Sequence, residues 1–315
     1  MLAQTSCLLC VWLSPRIFLG WSLGLAFEMK TVAAVQMDVT LGEPDLNLKA
    51  IEERAGEAVS HGASTIIFPE CSVTGYCFDS LEEALPFGQT VPGPATDFLS
   101  NVCRRLGCSI VVGMLERERD ELFNVAVLVS ESGLVSVYRK AHLPFLGVDR
   151  FTTPGDRPFS VHEVGGLRIG MNICYDATFP EAARVLMLQG VDLVALPTNW
   201  PPGSEPAAEY VINARALENR VYYSAVNRVG VENGFEFIGA SRICDPSGRT
   251  LAEAPHRNEA ILYAEIDPEK ARNKHIVRVP KAHEIHRSRD RRPDLYAEVV
   301  EPLREKRFRG DLSSE

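Results

Sequence analysis

From Thr31 to Ile266 the chain alternates apolar runs of strand length with stretches of helical spacing, and no long linker, repeat or low-complexity segment interrupts it. That alternation demands sheet strands connected partly by helices and partly by tight turns. Thr31–Val39 reads as a strand and Leu46–His61 carries apolar residues at helical spacing. Ser64–Phe68 is a short apolar strand, Pro94–Leu106 a helix, and Ser109–Leu115 and Leu122–Ser130 are strands. The turn Glu131-Ser132-Gly133 leads into a hairpin arm, Leu134–Arg139. Leu167–Ile173 reads as a strand preceded by a Gly165-Gly166 hairpin turn, Phe179–Gln189 as a helix and Val191–Leu196 as a strand. Pro206–Asn219 is helical, and Tyr222–Asn227, Phe235–Ile243 and Ala260–Ile266 are strands. The expectation is an α/β chain whose sheets are mixed and covered by helices on at least one face.

Three of these strands end on a residue with reactive chemistry. Ile66-Ile67-Phe68-Pro69 leads to Glu70, Tyr138-Arg139 to Lys140, and Asn172-Ile173 to Cys174. Strand ends are where α/β folds collect functional side chains. Taken singly, such a Glu is a solvated loop residue, such a Lys is surface charge, and such a Cys is a buried filler. Together they have a chemical logic. A thiol is only partly ionised at neutral pH and gains from a neighbouring base. A carboxylate in a partly apolar pocket can serve as that base. An ammonium can stabilise the oxyanion of a tetrahedral intermediate.

The same segments resemble the nitrilase superfamily of carbon–nitrogen hydrolases. The resemblance rests on Phe68-Pro69-Glu70, Tyr138-Arg139-Lys140-x-His142-Leu143, and Cys174-Tyr175-Asp176-x-x-Phe179-Pro180-Glu181. It extends to Asn124, Asn199-Trp200, Arg215-Ala216-x-Glu218-Asn219 and the tail Asp290-Arg291-Arg292-Pro293-Asp294-Leu295-Tyr296. It implies an α–β–β–α sandwich in one domain, dimerising across a helical face and needing no metal or cofactor. Cys174 would be the nucleophile, Glu70 the base and Lys140 the oxyanion partner, with the Tyr175 N–H as second donor. Tyr76, Asn199 and Trp200 are candidates for lining the substrate pocket. Asp176 and Glu181 read as structural, the latter placed near a helix N-terminus.

One departure stands out. Many members carry a second active-site Glu between the Lys and the Cys. Here the nearest acid is Asp149, one methylene shorter and at a slightly different spacing. Asp149 takes that role, another group does, or the role is vacant. Tyr175-Asp176 follows the nucleophile where nitrile-cleaving relatives have Trp-Glu, which points to the amidase and carbamoylase branches. Ala177 and Thr178 stand where carbamoyl-amino-acid hydrolases place carboxylate-clamping arginines. The expected substrate is therefore a small linear amide, neutral or amine-bearing. A nitrile, an N-carbamoyl compound or acyl transfer is the alternative within enzymes. A non-catalytic metabolite-binding scaffold is the alternative outside them, though a scaffold needs none of the three residues.

Composition narrows the partners. The 42 acidic and 33 basic side chains give a net charge of −9, which argues against nucleic acid. The one dense basic run, Arg287 to Arg292, reads as a solvated or interface stretch. The eight cysteines form no paired CxxC–His framework of zinc spacing, and Cys7-Cys10 stands alone in an apolar leader. A reduced, cytoplasmic protein without metal is the expectation. Leu8 to Phe27 is apolar but broken by Pro15, Arg16, Gly20 and Gly24, too interrupted for a membrane span. It lacks a basic n-region and a small-x-small cleavage site. Residues 1–28 are thus an upstream extension with Met29 as functional start, or a targeting segment. Residues 29–285 form the hydrolase domain, and residues 286–315 a tail suited to serve as a dimer arm.

Overall fold

The computed structural model describes residues 29–302; the leader and the last part of the tail lie outside the described residues. Two six-stranded sheets dominate. In the first, Lys30–Gln36 lies between Ala260–Ile266 on one side and Thr65–Ile67 on the other, and Ser109–Glu118, Glu121–Ser130 and Gly133–Arg139 follow in order. In the second, the order is Thr250–Glu253, Arg242–Cys244, Tyr222–Asn227, Leu193–Thr198, Leu167–Met171, Val161–Val164. Each sheet is parallel at its centre and antiparallel at its margins.

The layering follows from the period-two alternation of the strands. Along Lys30–Gln36, Ala33 and Val35 join a core with Leu48, Ile51 and Ala55 of helix Pro44–Ser60, and with Leu99 and Val102 of helix Pro94–Leu106. Val32 and Ala34 join the other core, which holds Ile169, Met171, Ala195 and Tyr223 of the second sheet. The sheets therefore face each other through one side of each strand. Helices Pro180–Leu188 and Ile212–Asn219 add Leu186, Met187, Ile212 and Ala216 to that same core from beyond the second sheet. The result is the expected four layers, α–β–β–α.

Most strands fall where the apolar runs place them. The expected strand Phe235–Ile243 does not form as one element. Among the described residues Phe235–Glu236 pairs only with Val231–Glu232, and the chain rejoins a sheet at Arg242–Cys244. Between them Gly239 and Ala240 take φ values of +63° and +56°. Buried polar groups fix the break: Asn227 donates to the Gly239 carbonyl at 2.7 Å, and Ser241 donates to Gln36 at 2.8 Å. A Cβ at Gly239 would stand 2.7 Å from the Gln36 amide. Local hydrogen bonds outweigh β propensity here. The edge strands Val161–Val164 and Thr250–Glu253 leave no clear signal in the sequence, because both are short and half-exposed.

Among the described residues, no helix is long and apolar enough to cross a membrane. Nor does any cluster of three or more His, Cys, Asp or Glu among them stand ready to hold a metal ion.

Candidate active site

The Glu70 segment is delivered by sheet pairing that outlasts the strand itself. Phe68 N–H donates to Val111 O at 2.8 Å and Gly113 N–H to Pro69 O at 3.1 Å. Gly113 permits this approach, since a Cβ there would lie 2.5 Å from the Glu70 Cα and closer still to the Cys71 nitrogen. Lys140 follows the last strand of the same sheet, and its N–H donates to Asn124 O at 2.8 Å. Cross-strand register thus makes Asn124 and Lys140 neighbours.

Four buried side chains close a ring. Lys140 Nζ donates to Glu70 Oε1 at 2.7 Å and to Asp149 Oδ2 at 2.5 Å. The Asn124 amide donates to the same two carboxylates, to Glu70 Oε1 at 2.6 Å and Asp149 Oδ1 at 2.9 Å. Tyr76 adds a hydroxyl bond to Asp149 Oδ2 at 2.8 Å. The structure thus brings Glu70, Lys140, Asp149 and Tyr76 together. Asp149 arrives on the short turn Gly147–Arg150 rather than on a strand end. Glu70 Oε2 is the exception: it is buried and has no hydrogen-bond partner among the described residues. Burial pushes the Glu70 carboxyl above its ordinary value, against the pull of Lys140. Burial opposes the charge on Lys140, but Asp149 and Glu70 override it and hold the ammonium pKa well above the usual lysine value. Tyr76 is likewise held protonated by burial and by Asp149, so its hydroxyl remains a donor.

Cys174 comes from the opposing sheet. Strand Leu167–Met171 runs parallel to Leu193–Thr198, and Asn172 N–H continues the pairing to Ala195 O at 3.0 Å. The chain then turns sharply: Cys174 takes a φ of +44° and opens a short helical turn, Cys174–Thr178. A side chain held in this left-handed region costs about 1–3 kcal/mol, a form of strain that clusters at functional sites. The turn is pinned by Asp176, whose buried carboxylate accepts from Ile173 N–H at 2.8 Å, Tyr138 OH at 2.7 Å and His142 N–H at 3.2 Å. Tyr138 and His142 flank Lys140, so one carboxylate ties the Cys174 turn to the segment that carries the ammonium. His142 Nδ1 also contacts Asp176 at 2.6 Å, and the ring stacks on Phe179 at 3.8 Å. The imidazole is thus committed to Asp176 and Phe179. Arg215 holds the far end of the turn through the carbonyls of Ala177 and Thr178.

The Cys174 thiol is buried, and burial and the Glu70 charge push its pKa up to about 12, opposed by Lys140 and by the Asn199 N–H. It therefore feels both members of the opposing pair, and little thiolate exists at neutral pH without a base. Tyr175 is exposed, edge-on to Phe179 at 5.1 Å. Asn199 is fully buried, yet neither Oδ1 nor Nδ2 has a partner among the described residues. Trp200 is buried, its N–H donating to Asn227 Oδ1 at 2.8 Å and its carbonyl accepting from Ile238 at 3.0 Å.

The carbon–nitrogen hydrolase family model matches residues 31–275. The chain belongs to this family. It is a nitrilase-superfamily hydrolase, similar to proteins of several named activities. It is 41% identical over 249 residues to a nitrilase of Pyrococcus abyssi, covering 79% of this chain and 94% of that protein. It is 32% identical over 292 residues to an N-carbamoylputrescine amidase of Solanum lycopersicum, with coverage of 85% and 94%. A solved amidase from Nesterenkonia sp. has the same fold, with a TM-score of 0.71 over 86% of this chain and 96% of that one, at 24% identity.

The sequence of this hydrolase marks the strand-end residues and hides their supports. Asp176 reads as structural from its position, but nothing local shows that it joins the two sheets, and Gly147 carries no signal at all. Gly147 has a φ of +49°, and a Cβ there would overlap the Tyr76 ring. Gly147→Ala is expected to push Tyr76 off Asp149 and lower kcat about a hundredfold, since a displacement near 1 Å carries such a penalty. Turnover measured on the folded variant checks this, and an unchanged kcat would show that Tyr76 placement does not matter.

Proposed function

We propose that the protein hydrolyses a small linear amide through a Cys174 thioester, with Glu70 as base, Lys140 and the Tyr175 N–H as oxyanion donors, and Asp149 orienting Lys140. One observation carries the reading: Glu70 is saturated on Oε1 by Lys140 and Asn124, while its buried Oε2 has no partner among the described residues. A carboxylate so arranged, near a high-pKa thiol, is equipped to move a proton.

Glu70 takes the thiol proton as sulfur attacks the carbonyl carbon. The oxygen that becomes negative is met by the Lys140 ammonium and by the Tyr175 N–H, which lies in the first residues of the turn Cys174–Thr178, where N–H groups have no acceptor within the turn itself. Glu70 returns the proton to nitrogen, the C–N bond breaks and ammonia leaves. Water then gives a proton to Glu70 and attacks the thioester, and the departing sulfur regains that proton. Asp149 accepts from Lys140 Nζ through its own oxygen, independently of the Glu70 contact.

The named relatives act on several carbon–nitrogen substrates, so the branch must come from this chain's own pocket. Asn199 offers a buried donor and acceptor side by side with no charge, which suits a neutral polar group on the substrate better than a carboxylate. Ammonia release from aliphatic amides, ω-amino amides, N-carbamoyl compounds and nitriles tests the reading. The expected result is release from linear amides, with kcat/KM reduced about tenfold or more in Asn199→Leu, the size of one lost hydrogen bond. Release from nitriles alone would overturn the amide assignment.

We further propose a homodimer formed across the helical face of Pro180–Leu188 and Ile212–Asn219, with the tail as arm. Val185, Leu188, Leu217, Val299 and Val300 are exposed apolar side chains on these segments. Tail residues Tyr296, Val299 and Val300 also line a 630 Å³ cleft with Pro180–Leu188. Such a patch marks an association surface. Sedimentation should give a dimer that Leu188→Asp dissociates; a monomeric wild type would refute this. All six described cysteines are free thiols, as a reducing compartment would keep them.

A further inference from the structure

Outside the ring of Glu70, Lys140, Asp149 and Asn124 lies a second buried ion pair. Arg228 is fully buried and donates to Glu232 Oε1 at 2.6 Å. The other oxygen, Glu232 Oε2, accepts two successive backbone N–H groups, from Tyr76 at 2.9 Å and Cys77 at 2.6 Å. Arg228 also donates to Asp38 Oδ1 at 2.9 Å and Val39 O at 2.8 Å, and its guanidinium lies 4.5 Å above the Phe237 ring. The pair thus ties together three loops: the one after Lys30–Gln36, the one that carries Tyr76, and the one after Tyr222–Asn227.

We infer that Glu232, held by Arg228, is a positioning residue for the hydrolytic reaction: it fixes the backbone at Tyr76 so that the Tyr76 hydroxyl reaches Asp149 and sets the Lys140 ammonium. The chain of contacts is continuous. Glu232 holds the Tyr76 amide, Tyr76 OH holds Asp149 Oδ2, and that same oxygen accepts from Lys140 Nζ at 2.5 Å. The Tyr76 carbonyl accepts from Val148 N–H at 3.0 Å, so the backbone is held from both sides and Glu232 supplies the amide side. Gly75, with a φ of +85°, is packed so closely that a Cβ would lie 3.1 Å from Glu232 Oε1. A carboxylate accepting two adjacent N–H groups is a strong, directional anchor. Its own charge is compensated by an arginine that also donates to Asp38, to Val39 and, through Nε, to Val229 O at 3.3 Å, so neither ion is left uncompensated in the interior. Charge compensation alone would not require Glu232 to direct one oxygen at the amides of Tyr76 and Cys77.

This rests on the amide-hydrolase reading, and the experiment separates the two. Wild type, Glu232→Gln, Tyr76→Phe and the double variant are compared for kcat on the amide the wild type hydrolyses. Values are normalised to the Cys174 thiols titrated by iodoacetamide. Glu232→Gln is expected to lower kcat per active site about ten- to a hundredfold, with KM moving much less, as misplacement of a catalytic group does. Tyr76→Phe should lower it comparably, and the double variant should fall no further than the worse single one, because both act through one contact. Multiplying losses, or a Glu232→Gln variant with wild-type kcat, would overturn the inference. If Glu232→Gln fails to fold, Glu232→Asp keeps the charge opposite Arg228 but shortens the reach to the amides. Alone it should lower kcat in the same way; combined with Tyr76→Phe it should add nothing to the loss that Tyr76→Phe causes by itself. If the wild type hydrolyses no amide, the hydrolase reading fails by itself. Iodoacetamide then reads the positioning by Glu232 directly: a changed Cys174 alkylation rate in Glu232→Gln supports it, and an unchanged rate overturns it.

Discussion

Cys174→Ala is expected to abolish ammonia release, lowering turnover by at least about 10⁴-fold, the scale seen when a covalent nucleophile is removed. Without the sulfur no thioester can form, and among the described residues Cys71 brings a second thiol close to Glu70, Lys140, Asp149 and Asn124. Burial pushes the Cys71 thiol pKa well up, and its Sγ is turned to Asn124 Oδ1 at 3.6 Å. The fold should persist, because alanine meets the φ of +44° no worse than cysteine does and Asp176 still pins the turn through the Ile173 N–H. Thermal melting and ammonia assay on the same preparation check both halves. Activity above about a thousandth of wild type in a folded variant would move the nucleophile elsewhere.

Lys140→Met should damage both stability and rate. Its ammonium bridges Glu70 at 2.7 Å and Asp149 at 2.5 Å with all three side chains out of solvent. Removing one member of a buried ionic set leaves uncompensated charge and costs about 3–5 kcal/mol. Losing an oxyanion donor lowers kcat about 10²–10³-fold in addition. The pH dependence has a definite sign. The Glu70 pKa is raised by burial and held down in part by Lys140, so in the variant it rises further. A carboxyl whose folded pKa exceeds its unfolded one stabilises the fold in its protonated form, and that stability is lost as pH rises through the folded pKa. The Lys140→Met protein should therefore recover part of its melting temperature on going from about pH 7 to about pH 5, where an unfolded carboxyl near pKa 4.3 is still largely ionised. The wild type should lose activity on acidification above the ordinary carboxylate range, as Glu70 protonates. A variant as stable as wild type at neutral pH would contradict the ionic ring.

What the sequence makes legible is whatever an apolar strand delivers. Glu70, Lys140 and Cys174 each follow a run whose periodicity marks the strand, so their places at sheet ends can be read directly. Asp149 is only half legible: the family resemblance implies an acid between Lys140 and Cys174, but a turn supplies it, and turn positions have no period. Arg228 and Glu232 are invisible for a physical reason. A charged residue in a loop is solvated by default, and the burial of Glu232 here depends on Tyr76, which precedes it by 156 residues. The same holds for the break at Gly239 and Ala240, where Gln36 and Asn227 decide against a strand that local composition favours. Side-chain hydrogen bonds over long sequence separations shape both the fold and the site without leaving a local pattern.

The central claim is a thioester on Cys174, and intact-protein mass spectrometry during turnover tests it most directly. With a hydrolysed amide in excess and the reaction quenched in acid, a fraction of the protein should gain the mass of the acyl group, localised by peptide mapping to Cys174 and absent from Cys174→Ala. Steady turnover with no adduct, together with ammonia release from Cys174→Ala, would contradict the account and point to direct attack by water.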